Sequence, residues 1–390
     1  MLALGSSEGI LTLLNDDLES QNDIYTQSIQ AHAPTHSYLT LQMLVAMSPC
    51  GSFVVSVSPA EFCWKLWDVE TGGLIRTGES HDGTGACLCT RPFPSHNHAR
   101  CRECKVPAHM LGDVLTVNFS PRGHIFAIGG NDVTFLWDVA TGAVNKMLLQ
   151  GSRSSSFSGD GNKLATARPL GVIDVWDVST GNLLTSITDI GLEEPGGLHR
   201  ADLFCLQYHP NEPWILSVSQ DEVKISNVNT GVITRLSQGI GCASISPDGH
   251  TIATLNRNHQ NVVQFFNWQG VEIGHIPTGH NSVISCLVFS GDSRRLVTCS
   301  REGSCNIHTG LPVRLDMSGG ASFEDILAEG TQLNRIQLGI GIYSVSWGYD
   351  IVGMRNRREA FAMGVHRRIG EASSVRSFGD DVAKKIMEYM

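Results

Sequence analysis

The stretch Trp67-Asp68-Val69-Glu70-Thr71-Gly72 recurs as Trp137-Asp138-Val139-Ala140-Thr141-Gly142 and as Trp176-Asp177-Val178-Ser179-Thr180-Gly181. A diverged copy is Ser226-Asn227-Val228-Asn229-Thr230-Gly231, and a shorter remnant is His308-Thr309-Gly310. Self-similarity at a period of roughly 40 residues is typical of repeat proteins, in which each repeat contributes one structural unit. The period therefore predicts a set of similar sheets and a surface for holding partners, and only weakly predicts chemistry.

Each repeat has the same internal order. Two apolar runs are separated by a turn resembling Ser-Pro-x-Gly, and the Trp-Asp run and a further apolar run follow. Proline after serine, followed by Asp or Asn and Gly, favours a tight turn between antiparallel strands. Such turns occupy 48–51, 120–123, 158–161, 209–212, 246–249 and 290–293. We therefore expect four strands in each repeat.

Over roughly residues 1–350 these repeats resemble the WD-repeat β-propeller family. The family's Gly-His dipeptide is retained at Gly279-His280, and Ser80-His81 is a variant of it. The resemblance implies an all-β fold, a seven-bladed β-propeller. It also implies a hydrogen-bonded His–Asp–Ser–Trp set in each blade. Because many of these dipeptides are replaced, we expect the set to be incomplete in every blade.

The two ends of the chain are predicted to share one blade. Six repeats cover about 37–82, 109–151, 152–191, 201–239, 240–281 and 282–317, whereas the N-terminus supplies only a second, third and fourth strand. The missing first strand is predicted at 342–350, where it would pair with residues 2–7. Closing the ring in this way removes open sheet edges, which promote aggregation.

Residues 351–390 are predicted to form a basic, partly helical C-terminal tail outside the propeller. The apolar residues Val382, Ile386 and Tyr389 have helical spacing, which predicts a short amphipathic helix near the end. The helix either packs against the outside of the propeller or serves as a partner-docking or nuclear-import element.

Composition restricts the class of protein. The formal net charge is −10, so the chain lacks the basic surface of a general nucleic-acid binder. No apolar run reaches about 18 residues, so no membrane-spanning helix is predicted. The first residues lack the basic segment of a secretory signal. We therefore expect a cytoplasmic or nuclear protein, not a secreted one, with reduced core thiols at Cys63, Cys205, Cys242, Cys286 and Cys299.

Two insertions, at 83–107 and 189–200, interrupt the regular period between the fourth strand of one blade and the first strand of the next. The first contains Cys87-Leu88-Cys89 and Cys101-Arg102-Glu103-Cys104, with histidines between the two pairs. Four soft ligands of this kind can hold one tetrahedral zinc, which would give the loop a fold. Two other interpretations stay open, a flexible loop that happens to contain thiols and a redox-active dithiol.

The family resemblance places both insertions on one face of the propeller, together with the turns between second and third strands. Loops on a rigid scaffold commonly carry function. The predicted partner-binding residues on this face are Asn131, Asp132, Glu193, Glu194, His199, Arg200, Arg301 and Glu302. The main hypothesis is therefore a non-catalytic protein–protein interaction scaffold.

Two further hypotheses come from other functional classes. One is a substrate-receptor subunit of a ubiquitin ligase. Family members that bind a ligase adaptor place Arg two positions after the Asp of the motif, and this chain has Glu70, Ala140 and Ser179 at those positions. The other is an enzyme with its site in the channel. No nucleophile elbow, phosphate-binding loop or metalloprotease motif in the sequence supports it.

Overall fold

The computed structural model describes residues 2–6, 8–14, 26–32, 43–58, 63–79, 114–130, 133–148, 150–168, 171–188, 203–219, 222–237, 239–256, 261–300, 304–309, 311, 332–337 and 342–347. These residues form 28 β-strands in seven four-stranded sheets. None of them belongs to a helix that is long and apolar enough to cross a membrane.

Each sheet is one blade, and the blades are numbered here along the chain. Blade 1 contains β1 (Leu2–Ser6), β2 (Ile10–Leu14), β3 (Thr26–Gln30) and β28 (Ile342–Trp347). Blade 2 contains β4 (Leu44–Met47), β5 (Phe53–Ser58), β6 (Cys63–Asp68) and β7 (Leu74–Glu79). Blade 3 contains β8 (Val114–Phe119), β9 (Ile125–Gly130), β10 (Thr134–Asp138) and β11 (Val144–Leu148). Blade 4 contains β12 (Ser155–Phe157), β13 (Lys163–Ala167), β14 (Ile173–Asp177) and β15 (Leu183–Ile187).

The other three blades follow the same plan. Blade 5 contains β16 (Cys205–Tyr208), β17 (Trp214–Val218), β18 (Val223–Asn227) and β19 (Ile233–Ser237). Blade 6 contains β20 (Gly239–Ile245), β21 (Ile252–Asn256), β22 (Val262–Phe266) and β23 (Glu272–Pro277). Blade 7 contains β24 (Ile284–Phe289), β25 (Leu296–Ser300), β26 (Ser304–Thr309) and β27 (Gln332–Gln337).

The seven sheets form a closed ring. The innermost strand of each blade contacts the innermost strands of its two neighbours, and β28 lies between β24 and β4. In blade 1, β28 pairs antiparallel with β1, so that Leu4 lies opposite Val345. The prediction of a seven-bladed propeller closed by both ends of the chain is therefore confirmed. The predicted helical tail at 351–390 lies outside the described residues.

Blade 7 extends further along the chain than its predicted limits of 282–317. Its outermost strand is β27, in which Arg335 lies opposite Asn306 of β26. The connection from β26 to β27 spans residues 310–331, which is longer than those limits allow. Repeat length therefore locates the core strands well and the outermost strand of this blade poorly.

Hydrogen bonds within the Trp-Asp-x-x-Thr-Gly stretch form the turn between the third and fourth strands. In blade 2, Oδ1 of Asp68 accepts hydrogen bonds from the backbone N–H of Thr71 at 2.7 Å and from its hydroxyl at 2.8 Å. The glycine that follows, Gly72, has φ +66°, a conformation that costs glycine little. Blades 3 and 4 repeat these bonds at Asp138 and Asp177. The motif is thus a local turn.

Strand direction divides the ring into two faces. Within an antiparallel sheet, the second and fourth strands run the same way, so they end at the same edge. We call the side with the turns that follow the first and third strands the turn face. The opposite side, the connection face, carries the turns between second and third strands and the connections from one blade to the next.

One cysteine prediction is wrong. Cys299 forms a disulfide with Cys305, whereas Cys63, Cys205, Cys242 and Cys286 are thiols as predicted. The disulfide forms because the register of β25 and β26 places Cys299 and Cys305 directly opposite each other, with Cα atoms 4.3 Å apart.

Candidate interaction surface

A buried hydrogen-bond chain joins blade 1 to blade 2. Nε2 of His32 lies 2.8 Å from Oγ of Ser56, and Nε1 of Trp67 donates to the same oxygen at 2.9 Å. His32 precedes β4 and lies in Ala31-His32, so the Gly-His pattern does not reveal it. The variant dipeptide at 80–81, which the sequence suggested instead, lies outside the described residues. The signal that could have found His32 is its place in the connection just before a Trp-Asp repeat.

Blade 7 has a related chain built on the predicted Gly279-His280. Nε2 of His280 lies 3.0 Å from the carbonyl oxygen of Thr298, and Nδ1 lies 2.8 Å from Ser304 Oγ. Nε2 of His308, which occupies the position of the tryptophan, lies 3.1 Å from Thr298 Oγ1. Burial, with a smaller contribution from His280, lowers the pKa of His308 to about 4. His308 is therefore neutral at physiological pH, and His280 has the structural role that was predicted.

The hydrogen-bonded His–Asp–Ser–Trp set varies among the other blades. In blade 4, Nε1 of Trp176 donates to Thr166 Oγ1 at 2.9 Å. In blade 3 the corresponding acceptor position is Ile128, and the buried Nε1 of Trp137 has no hydrogen-bond partner among the described residues. In blades 5 and 6 the tryptophan is replaced by Ser226 and Phe266. The set is therefore incomplete in blades 3, 5, 6 and 7, whereas the described part of blade 2 retains the histidine, the serine and the tryptophan. The prediction of an incomplete set in every blade is thus confirmed for the first four of these blades.

On the turn face, short turns hold neighbouring blades together. Arg122 of blade 3 donates from Nε to the carbonyl oxygen of Asp160 in blade 4 at 2.8 Å. The backbone N–H of Asp248 in blade 6 donates to Ser293 Oγ in blade 7 at 3.0 Å. Arg76 of blade 2 donates to the carbonyl oxygen of Thr141 in blade 3 at 2.9 Å. Polar groups of the turn face are thus used in hydrogen bonds between neighbouring blades.

His209 joins blade 5 to blade 6 on the same face. Its Nδ1 accepts hydrogen bonds from the backbone N–H groups of Asn211 at 3.1 Å and Glu212 at 2.9 Å, so the proton is on Nε2. Nε2 donates to the carbonyl oxygen of Gly249 at 3.0 Å, and the ring packs edge-on against Trp268. Burial lowers the pKa of His209, which keeps the ring neutral. His209 is therefore structural, as predicted.

The channel is a cavity of about 790 Å³ lined by the innermost strands of blades 2 to 7 and by their turns. An innermost strand has no strand partner on its channel side, so some of its backbone N–H groups donate to side chains of the preceding blade. Ser156 Oγ accepts from the N–H of Tyr208 at 2.9 Å, and Gln207 Oε1 accepts from the N–H of Ile245 at 2.7 Å. These bonds satisfy strand edges that would otherwise be unpaired.

The predicted partner-binding residues lie outside the described residues. They are Asn131, Asp132, Glu193, Glu194, His199, Arg200, Arg301 and Glu302. The strands that flank them are described. The insertion at 83–107 follows β7 and precedes β8, and the insertion at 189–200 follows β15 and precedes β16. Residues 131–132 and 301–303 connect second to third strands. All four segments therefore leave strands that end at the connection face.

The predicted zinc ligands Cys87, Cys89, Cys101 and Cys104 also lie outside the described residues. Among the residues whose positions are described, no group of three or more His, Cys, Asp or Glu side chains is arranged to hold a metal ion.

Comparison with known proteins gives one family match. The sequence model of the WD domain, G-beta repeat, matches residues 272–309. This segment begins with β23 and ends with β26, and it includes Gly279, His280 and His308. No curated protein matches the chain significantly. The matched repeat, the recurrent Trp-Asp turns and the closed ring of seven four-stranded blades together support a WD-repeat β-propeller.

Proposed function

We propose that the protein is a non-catalytic scaffold that binds other proteins with its connection face. WD-repeat propellers are in general protein–protein interaction scaffolds, and fold alone does not identify the partner. One observation carries the proposal. The turn face is built from short turns bonded between blades, whereas both insertions join strands at the connection face.

The histidines at the blade interfaces support binding over catalysis. A general acid or base needs a proton-transfer group that reaches a substrate. Both ring nitrogens of His209 are engaged in backbone hydrogen bonds, and those of His280 bond to Thr298 and Ser304. These side chains therefore stabilise the ring.

The residues proposed to contact a partner are those of the connection face. Asn131 and Asp132 would belong to a blade 3 turn, and Arg301 and Glu302 to a blade 7 turn. The insertion at 189–200 would contribute Glu193, Glu194, His199 and Arg200. We further propose that a structural zinc held by Cys87, Cys89, Cys101 and Cys104 orders the first insertion, and that the protein acts in the cytoplasm or nucleus.

A comparison of two variants tests the proposal. The first variant replaces residues 83–107 with a short Gly-Ser linker. The control variant alters the exposed turn-face residues His250 and Arg294 to Ala, which changes the opposite side of the same ring. After crosslinking in cells, quantitative mass spectrometry of the purified protein should show partners lost from the first variant and kept by the control. Partners lost only from the control would contradict the proposal.

The same experiment addresses the ubiquitin-ligase alternative. Recovery of a ligase adaptor with the wild-type chain would favour a substrate receptor over a general scaffold. The residues at the adaptor-contact positions of the motif, Glu70, Ala140 and Ser179, lack the arginine that this role favours, so we expect no adaptor.

A further inference from the structure

Three cysteines form a continuous row across the inner three strands of blade 7. Cys286 of β24 lies directly opposite Cys299 of β25, and Cys299 lies directly opposite Cys305 of β26. Directly opposite residues in an antiparallel pair project from the same face of the sheet, with Cβ atoms about 4.5–5.5 Å apart. The three sulfur atoms therefore share one face of the blade.

The row also has the order of sulfurs that thiol–disulfide exchange requires. A thiolate attacks one sulfur of a disulfide and displaces the other. Here the Cys299–Cys305 bond crosses between strands, and Cys286 lies one strand further along the same direction. Cys286 is thus placed to attack Cys299 and displace Cys305.

Access to the row comes from the channel. Cys299 and Cys305 are each 0% exposed, so an external reductant cannot reach their disulfide in the folded protein. Cys286 is partly exposed and lines the channel cavity of about 790 Å³. A cavity of this size is within the range that holds small organic ligands, roughly 300–1,000 Å³. Cys286 is therefore the sulfur between the channel and the buried bond.

We propose that Cys286, Cys299 and Cys305 form a thiol–disulfide exchange site at which small thiols and disulfides entering the channel open or restore the buried bond. In the opening direction, the Cys286 thiolate forms a bond to Cys299, the Cys299–Cys305 bond breaks, and Cys305 takes up a proton. A small thiol then attacks Cys286, which frees Cys299. A second small thiol releases Cys286, and the two small thiols leave joined as a disulfide. The protein gains two electrons and two protons in total.

The surroundings of Cys286 make this exchange slow. Burial, opposed in part by the Ser285 hydroxyl 3.8 Å away, raises the pKa of the Cys286 thiol to about 12. The thiolate is the attacking species, so only a small fraction of the protein reacts at any moment at neutral pH. The state of the disulfide therefore follows a lasting change in the concentration of small thiols and disulfides, and not a brief one.

The first test measures the rate at which reduced glutathione opens the Cys299–Cys305 bond in the full, folded chain. Wild type is compared with Cys286→Ser and with Cys205→Ser. Cys205 also lines the channel, but Val218 lies opposite it. Cys286→Ser should slow the opening roughly tenfold or more, because only the attacking thiolate that reaches the disulfide is removed. Equal rates in all three proteins would overturn the proposal.

The second test does not depend on the Cys286→Ser variant. Cys305→Ser is incubated with oxidised glutathione and its disulfides are mapped by mass spectrometry. The row predicts a Cys286–Cys299 bond. In the matched variant Cys299→Ser, the two cysteines of the row that remain are Cys286 and Cys305. They lie two strands apart, roughly 9–10 Å, so no bond should form between them. Absence of the Cys286–Cys299 bond in Cys305→Ser would also overturn the proposal.

Discussion

The three motif tryptophans allow the contribution of one buried hydrogen bond to be measured within a single protein. Trp67, Trp137 and Trp176 are similarly buried, at 6%, 4% and 6% exposed. The indole N–H groups of Trp67 and Trp176 donate to hydroxyl oxygens at 2.9 Å, whereas that of Trp137 has no partner in the described part of the chain. Replacing each by Phe removes the same atoms from a comparable environment. The variants therefore differ in the indole hydrogen bond and, for Trp137, in its contacts with other aromatic rings.

The expected difference follows from these contacts. Trp67→Phe and Trp176→Phe each lose a hydrogen bond with a net contribution of about 1 kcal/mol. Trp137→Phe instead removes a buried, unsatisfied N–H group, which relieves a penalty of about 1–3 kcal/mol. Trp137→Phe should therefore lower the free energy of unfolding by about 2–4 kcal/mol less than either of the other two variants.

Urea denaturation followed by far-ultraviolet circular dichroism measures the three free energies of unfolding without relying on tryptophan fluorescence. The ring contacts of Trp137 with Trp64 and Phe126 act against the prediction, because a phenylalanine packs less well against them. A double-mutant cycle corrects for this effect. Trp67→Phe and Ser56→Ala should be coupled by about 1 kcal/mol through their shared hydrogen bond, and Trp176→Phe and Thr166→Ala should be coupled by a similar amount. The reasoning would be refuted by equal losses in the three single variants together with no coupling in the first cycle.

Three further outcomes are expected. Deletion of residues 1–15 and deletion of residues 342–390 should reduce solubility to a similar degree. Either deletion removes part of blade 1 and leaves an open sheet edge. A fully soluble, folded product of either deletion would contradict the pairing of β1 with β28. Elemental analysis of the purified chain should give about one zinc per molecule, lost in Cys101→Ser; a metal-free wild type would exclude the zinc site. The pKa of His308 is about 4 in the folded protein and about 6.5 in the unfolded chain. As the pH falls between these values, His308 binds a proton in the unfolded chain but not in the folded protein, so the free energy of unfolding should decrease. Wild type should lose up to about 3 kcal/mol more than His308→Gln over this range, and parallel pH profiles would show that His308 does not contribute.

The sequence alone predicted the features that depend on contacts between residues close in the chain or on the number of repeats. The Trp-Asp-x-x-Thr-Gly turn forms because Asp68 bonds to Thr71, three residues away. The blade count and the pairing of β1 with β28 follow from an N-terminal repeat that lacks one strand and a distant segment that resembles it. Alternating apolar runs separated by turn residues carry this information without any knowledge of tertiary contacts.

Contacts between strands and between blades were decided only by the tertiary structure. His32 reaches Ser56 from the connection that follows β3, and Ile128 occupies in blade 3 the position at which the other two tryptophans find a hydroxyl. Cys299 pairs with Cys305 because the register of β25 and β26 places them opposite each other. A shift of one residue in that register would turn every side chain of a strand to the other face. Register depends on the packing of a whole blade against its neighbours, which no short stretch of sequence encodes.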